Sequence, residues 1–467
     1  MSNPPVSRRA FLSTGAVTIG GLLVPRFLSQ PRTTDPGVPV TLEAAYGRTA
    51  VGNSSAYLYC YNGQAAGPVI ETAPGASLRI ELVNRLSEPT NLHFHGLHVS
   101  PDGNSDNPFL EIPPGESLVY DLEIPPDHPA GTFWYHPHLH GRVAHQVSMG
   151  LSGFLIIRGG LDDYPEMNPA QEYLLMLKDF SIGPTGYVIA PTMMDRMQGR
   201  EGNLLTVNGQ IQPSLAIPEN GLVRLRLLNA SSSRFYHLRL QDHPMHIIAL
   251  DGLALSETQT VDEILLAPGQ RADVLISGDR PPGRYALLNL PYDRGGMGMG
   301  MGMMSRRGAT PGGATTLAQL TYEGRADRII PVPYRLGSVP MLEPPNLPPR
   351  RFVLSEGMGG MGMGFFINGR SFDHHRVDTR VRLNSTEEWE IVNTGMMDHP
   401  FHIHTNPFQV LASPGDPGVV WRDTLIIPHG QTKRIRIRFA DFAGRTVYHC
   451  HILDHEDLGM MGTLEMA

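Results

Sequence analysis

The chain has 467 residues and is 41% hydrophobic, enough for two to four folded domains rather than one core. Its net charge of -8 argues against a phosphate-backbone partner, so no nucleic acid is expected. Gly (51) and Pro (41) are many and aromatics few, which excludes a long-helix protein and favours short strands joined by turns. His 20 and Met 22 are high, and both are clustered along the chain.

At the N-terminus, Ser7-Arg8-Arg9-Ala10-Phe11-Leu12 is a twin-arginine pattern followed by a mildly apolar stretch to Val24. That stretch is too short and too weakly apolar to span a bilayer. Residues 1–38 therefore read as an export signal for the twin-arginine machinery, cut between Pro25 and Val38. The mature protein is expected to be periplasmic or extracellular, with no membrane contact once the signal is removed.

A first unit, 39–160, contains the runs SLRIELVN, SLVYDLEIP and GFLIIRG with Pro and Gly between them. Cys60 lies in the alternating run AYLYCYNG and reads as a buried free thiol rather than half of a disulfide. A second unit, 161–330, repeats the pattern with EYLLMLKDF, LVRLRLLNA, HIIALDG, ADVLISG and YALLNL. A Pro-rich linker, 331–351, leads to a third unit, 352–467, with EEWEIVN, FQVLAS, KRIRIRF and TVYHCHI. Strands of this length between turn residues predict three all-β sandwiches.

Units one and three share an internal repeat. The first carries NLHFHG (91–96) and then FWYHPHLHG (133–141); the third carries HPFHIH (399–404) and, after a similar interval, VYHCHILDHE (447–456). Aligned, Pro137 falls opposite Cys450. The second unit has no His-x-His pair, and its HPMH, His243 to His246, is a chance echo of HPFH. On a strand, residues i and i+2 face one side, so each pair aims two imidazoles at one place. His93, His95, His136, His138, His402, His404, His449 and His451 thus form a candidate set of eight metal ligands. Imidazole alone suits copper, zinc, iron or nickel. Cys450 narrows the choice: His399, Cys450, His455 and Met460 offer two imidazoles, a thiolate and a thioether, the donor set of a blue-copper electron-transfer site.

With these motifs the chain resembles the multicopper oxidase family, specifically its three-domain bacterial laccases and cuprous oxidases. The likeness spans nearly the whole mature chain and includes YNGQAAGPVI, LHFHGLH, FLEIPPGES, LLNASSSRFYHL, LAPGQRADVLI, FFINGRSFD, WRDT and HCHILDHEDLGMM. The resemblance implies three cupredoxin-like Greek-key β-sandwich domains and four copper ions. His399, Cys450, His455 and Met460 match the type 1 ligands, and His93 and His402 the type 2 ligands. His95, His136 and His451 match one type 3 copper; His138, His404 and His449 match the other. The implied activity takes single electrons from a phenol, an aromatic amine or Cu(I) and reduces O2 to water. Asp106 and Glu456 match the carboxylates that relay protons, and Asp423 in WRDT is placed to orient a ligand histidine or to cap a turn. A monomer is expected.

His140 matches no copper position, and His98, His128, His145, His243, His246, His374, His375 and His429 read as surface or supporting groups. Two glycine-alternating methionine runs remain: Met297, Met299, Met301, Met303 and Met304, and then Met358, Met361 and Met363. Soft thioethers favour Cu(I), so the runs read as a flexible flap over an exposed His455 edge, with Asp398 beside ligand His399. Three other readings are weighed against the oxidase. A copper-storage protein without oxygen turnover leaves eight cluster histidines unused. A copper-free scaffold of the same fold has no call for Cys450. A two-domain nitrite reductase lacks the third sandwich.

Overall fold

The computed structural model of the protein describes residues 32–33, 39–296, 313–359, 362–411 and 420–467. Most of the expected export segment, the run Met297–Met304, and Met361 lie outside the described residues. Strands dominate because apolar residues recur at every second position. In Ser77–Asn84, Leu78, Ile80 and Leu82 are fully buried while Ser77 and Arg79 face outward.

Among the described residues, six sheets pair in chain order into three cupredoxin-like Greek-key sandwiches. The first packs a five-stranded sheet on a four-stranded one, and the second and third each pack six strands on five. The cores are continuous apolar clusters. Leu42, Ile80, Phe94 and Tyr120 belong to the first, Leu225, Leu238 and Val274 to the second, and Trp389, Ile391, Phe401 and Ile435 to the third. Among the described residues the α-helices are short: Val143–Met149, Met193–Gln198 and Leu453–Asp457. None is long and apolar enough to cross a membrane. Cys60 is buried and free, with Thr49 Oγ1 2.9 Å from its sulfur.

The repeat has a structural counterpart. His93–His95 pairs antiparallel with Gly131–His136, with His93 opposite His136; His399–Ile403 pairs antiparallel with Gly444–Cys450, with His402 opposite His449. The same antiparallel register therefore presents the histidines in both units. The central strand of the second sandwich, Leu222–Asn229, departs from simple alternation, since every residue of it is buried. Arg224 and Arg226 escape an unpaired buried charge by pairing. Arg226 reaches Asp162 at 2.6 Å and Glu172 at 2.7 Å, and Arg224 reaches Asp273 at 2.6 Å.

For the second methionine run alone, the backbone departs from the expected free flap. Arg350–Gly359 and Gly362–Ile367 form an antiparallel hairpin, with Gly357 opposite Gly364 and Met358 opposite Met363. Backbone pairing fixes what side-chain packing between glycines cannot.

Candidate metal centres

The smaller centre lies inside the third sandwich. Cys450 ends the strand Gly444–Cys450, and His455 sits in the helix that follows it. His399 Nδ1 is 3.3 Å from Cys450 Sγ, His455 Nδ1 is 4.0 Å from that sulfur, and the two Nδ1 atoms are 3.4 Å apart. All three residues and Met460 are fully buried. Gly459, with φ +113°, makes the turn that returns Met460 to the core; a Cβ there would lie 2.9 Å from the Ser371 side chain. Ile452 N–H donates to the sulfur at 3.4 Å. Burial pushes the Cys450 thiol up, so without a cation beside it the site holds a protonated thiol.

The larger centre lies on the seam between the first and third sandwiches. The His-x-His pairs face each other across it: His93 stacks on His404 at 3.6 Å between centroids, and His95 on His402 at 3.8 Å. The Nε2 atoms of His138 and His404 lie 3.1 and 3.2 Å from that of His449. His93 groups with His402 and His404, and also with His95 and His136, each group having its ligand atoms within 4.8 Å of one another. The His451 ring lies 5.0 Å from that of His95 and 5.6 Å from that of His136.

Three of the ring nitrogens pointing out of the cluster are tied to hydrogen-bond acceptors. His93 Nδ1 donates to Asp106 at 2.9 Å, His136 Nδ1 to the Pro137 carbonyl at 2.8 Å, and His402 Nδ1 to the Asp423 carbonyl at 2.8 Å. The buried Nε2 atoms of these three rings, Nδ1 of His95 and both nitrogens of His451 make no hydrogen bond. Buried polar atoms left this way are costly unless something satisfies them. Burial, with the neighbouring imidazoles, holds His93, His95, His136, His402 and His404 well below the usual imidazole range. Neutral rings with free, converging lone pairs are the form that binds a metal, so both donor sets fit copper.

The carboxylates sort differently. Asp106 is buried beside His93, takes the Phe94 N–H at 2.9 Å, and is pushed by burial up to about 8. Glu456 is buried, 3.1 Å from His449 Nδ1 and 3.5 Å from His138 Nε2; burial raises it, but those two rings outweigh that and hold it down at about 2. Asp423 touches the cluster, with Oδ1 3.2 Å from His95 Nε2. Asp398 does not face the His399 ring: it is held by Tyr292 Oη at 2.6 Å and by the N–H and ring of His429 at 2.8 and 2.9 Å. The carboxylate that does is Glu356, absent from the sequence reading. Its side chain is 3% exposed, and Oε2 lies 3.7 Å from His399 Nε2. Gly395 is needed beneath it, since a Cβ there would sit 2.0 Å from that oxygen. Only its contacts with the distant segment Gly395–His399 reveal Glu356, and no local motif marks it.

The expected exposed edge at His455 is also corrected. His455 is fully buried, stacked on Phe365 at 3.8 Å, and its Nε2 donates to the Met197 carbonyl of the helix Met193–Gln198 at 3.2 Å. That helix, from the second sandwich, covers the ring and exposes Met193 and Met194. His128 and His243 are buried, whereas His140 is exposed.

A cysteine with two imidazoles inside one cupredoxin-like domain, and eight imidazoles on a seam beside it, are a donor set suited to copper redox chemistry. Family profiles described as multicopper oxidase match residues 44–161, 183–324 and 343–467. The multicopper oxidase mco of Staphylococcus haemolyticus is 31% identical over 439 residues, covering 91% of this chain and 88% of that protein. A multicopper oxidase from Campylobacter jejuni, described as a metallo-oxidase, superposes with a TM-score of 0.79 at 32% identity, covering 91% of this chain and 90% of the other. The cell division protein FtsP of Yersinia pestis is 27% identical, covering 90% of each chain. The chain belongs to the multicopper oxidase family.

Proposed function

We propose that this chain is an exported oxidase that takes electrons singly from Cu(I) and reduces O2 to water. In this reading His399, Cys450, His455 and Met460 hold the type 1 copper, and His93 and His402 the type 2 copper. His95, His136 and His451 hold one type 3 copper, and His138, His404 and His449 the other. The four coppers supply electron storage and the surface on which O2 is reduced.

The protein's part is to join and wet these sites correctly. The observation that carries the reading is the covalent link: Cys450 belongs to the smaller centre and is bonded through the main chain to His449 and His451 of the larger one. Alternate residues of an extended segment face opposite sides, so a single strand end serves both centres. Oxygen reduction consumes protons. Asp106 behind His93 and Glu456 behind His449 and His138 are the buried carboxyl groups positioned to hold and pass them.

The donor follows from what reaches the type 1 ligands. The His455 edge is capped by the Met197 carbonyl, which leaves no face for a phenol or aromatic amine. The Glu356 carboxylate, on the strand that carries Met358, instead lies against the His399 edge, and a buried anion beside that edge suits a small cation. The name metallo-oxidase given to the Campylobacter jejuni protein is consistent with such a donor.

Oxygen uptake by copper-loaded protein, with Cu(I) or a methoxyphenol as sole donor, tests this. Fast uptake with Cu(I) and slow uptake with the phenol is expected. The reverse makes the chain a laccase. Full copper loading with no uptake from either donor would favour storage.

A further inference from the structure

The motif LAPGQRADVLI sits in the copper-free second sandwich, yet its loop 267–271 reaches the seam between the other two. Gly269, at φ +84°, lies flat against His451: a Cβ there would be 2.9 Å from Cδ2 and Nε2 of that ring. Gln270 Nε2 donates to the Thr424 carbonyl at 2.9 Å. Arg271 is fully buried and uses all five of its N–H donors. Nε donates to the Thr132 carbonyl at 3.2 Å. Nη1 donates to the Gly269 carbonyl at 3.0 Å and to Asp423 Oδ1 at 2.9 Å. Nη2 donates to the Asp251 carbonyl at 2.9 Å and to Asp423 Oδ2 at 2.6 Å. One guanidinium therefore ties residues of all three sandwiches together. Gly96, directly after the first His-x-His pair, leaves room for it, since a Cβ there would be 2.4 Å from Nη2.

The partner of that fork matters for the metal site. Asp423 Oδ1 and Thr424 Oγ1 each lie 3.2 Å from His95 Nε2, while the Asp423 carbonyl takes Nδ1–H of His402. His93, His136 and His402 keep Nε2 free; His95 is reversed, with Nε2 held outside and Nδ1 free. Asp423 and Thr424 thereby select the His95 tautomer and fix the ring that stacks on His402.

We infer that Arg271 is a positioning residue for the copper cluster: by clamping Asp423 with a bidentate pair, the copper-free domain sets the ligand nitrogen of His95 and the alignment of His402. The inference rests on the reading of the seam as a copper cluster. A lysine at this position keeps the charge but not the planar fork.

The test compares wild type, Arg271→Met, Arg271→Lys and Gly269→Ala after copper loading and dialysis against a chelator. Copper per chain, visible thiolate–copper absorption and the type 2 paramagnetic resonance signal are measured. In Arg271→Met, cluster copper is expected to bind about 10–100-fold more weakly. The type 2 signal should be lost or altered while the blue absorption is kept, with Arg271→Lys recovering part of the loss. Should Arg271→Met fail to fold, seen as absent blue absorption, Gly269→Ala carries the test through its contact with His451 and should lower cluster occupancy with the blue absorption intact. Wild-type copper content and type 2 signal in the folded variants would overturn the inference. Wild-type protein that loads no copper beyond the blue site would instead overturn the reading of the seam itself.

Discussion

The two candidate centres differ in what builds them. The His399–Cys450–His455–Met460 site draws all four candidate ligands from one sandwich, with only a cap on His455 from its neighbour. The eight-imidazole site belongs to no single domain; half its rings come from each side of a seam, and a loop of the intervening sandwich rests against it. A site whose ligands share one core needs its neighbours only for its cover, whereas a seam site exists only while the docking of the domains holds. The strand pairs feeding the seam are copies in one register, each followed by a short helix, and Cys450 in place of Pro137 gives only the third unit a sulfur donor there.

Substitutions can separate the two centres. The largest effect is expected from Cys450→Ser, which removes the thiolate: the blue absorption and turnover should vanish while the seam keeps its copper, checked by metal analysis and resonance spectra. His404→Ala should do the opposite. It deletes the ring stacked on His93 and facing His449, so cluster copper and oxygen uptake should be lost with the blue absorption retained. Asp423→Asn keeps the shape but weakens the acceptor for His95 and the partner of Arg271; cluster copper affinity or activity should fall about 10–100-fold, read by chelator titration. The smallest effect is expected from Phe365→Leu, which unstacks His455 and should cost about 1 kcal/mol in stability. Thermal unfolding would register that loss, with the type 1 spectrum shifted and the seam unaffected.

How much could be read in advance depended on how local each signal was. His-x-His pairs write themselves as a two-residue period on a strand, and Cys450, His455 and Met460 lie within one turn-and-helix segment. Alternating runs such as Ser77–Asn84 carry their buried face openly. Arg271, Gly269 and Met197 act across sandwiches, Glu356 acts on a segment some forty residues away, and nothing near them in sequence marks the partner. Arg224 and Arg226 show the same limit: their alternation imitates a solvent-facing strand, but carboxylates distant in sequence allow both to be buried. The pairing of the second methionine run and the cover on His455 are hidden from the sequence for related reasons. Glycine content cannot reveal a paired hairpin, and the cover on His455 comes from another domain.

The central claim is that the seam and the Cys450 site work as one four-electron device. Counting electrons per oxygen tests it most directly, with limiting Cu(I) and simultaneous assays of oxygen and peroxide. The account predicts four Cu(I) oxidised for each O2 consumed, with no peroxide released. Two Cu(I) per O2 with stoichiometric peroxide would contradict it, because the eight imidazoles would then not be acting as a single oxygen-reducing cluster.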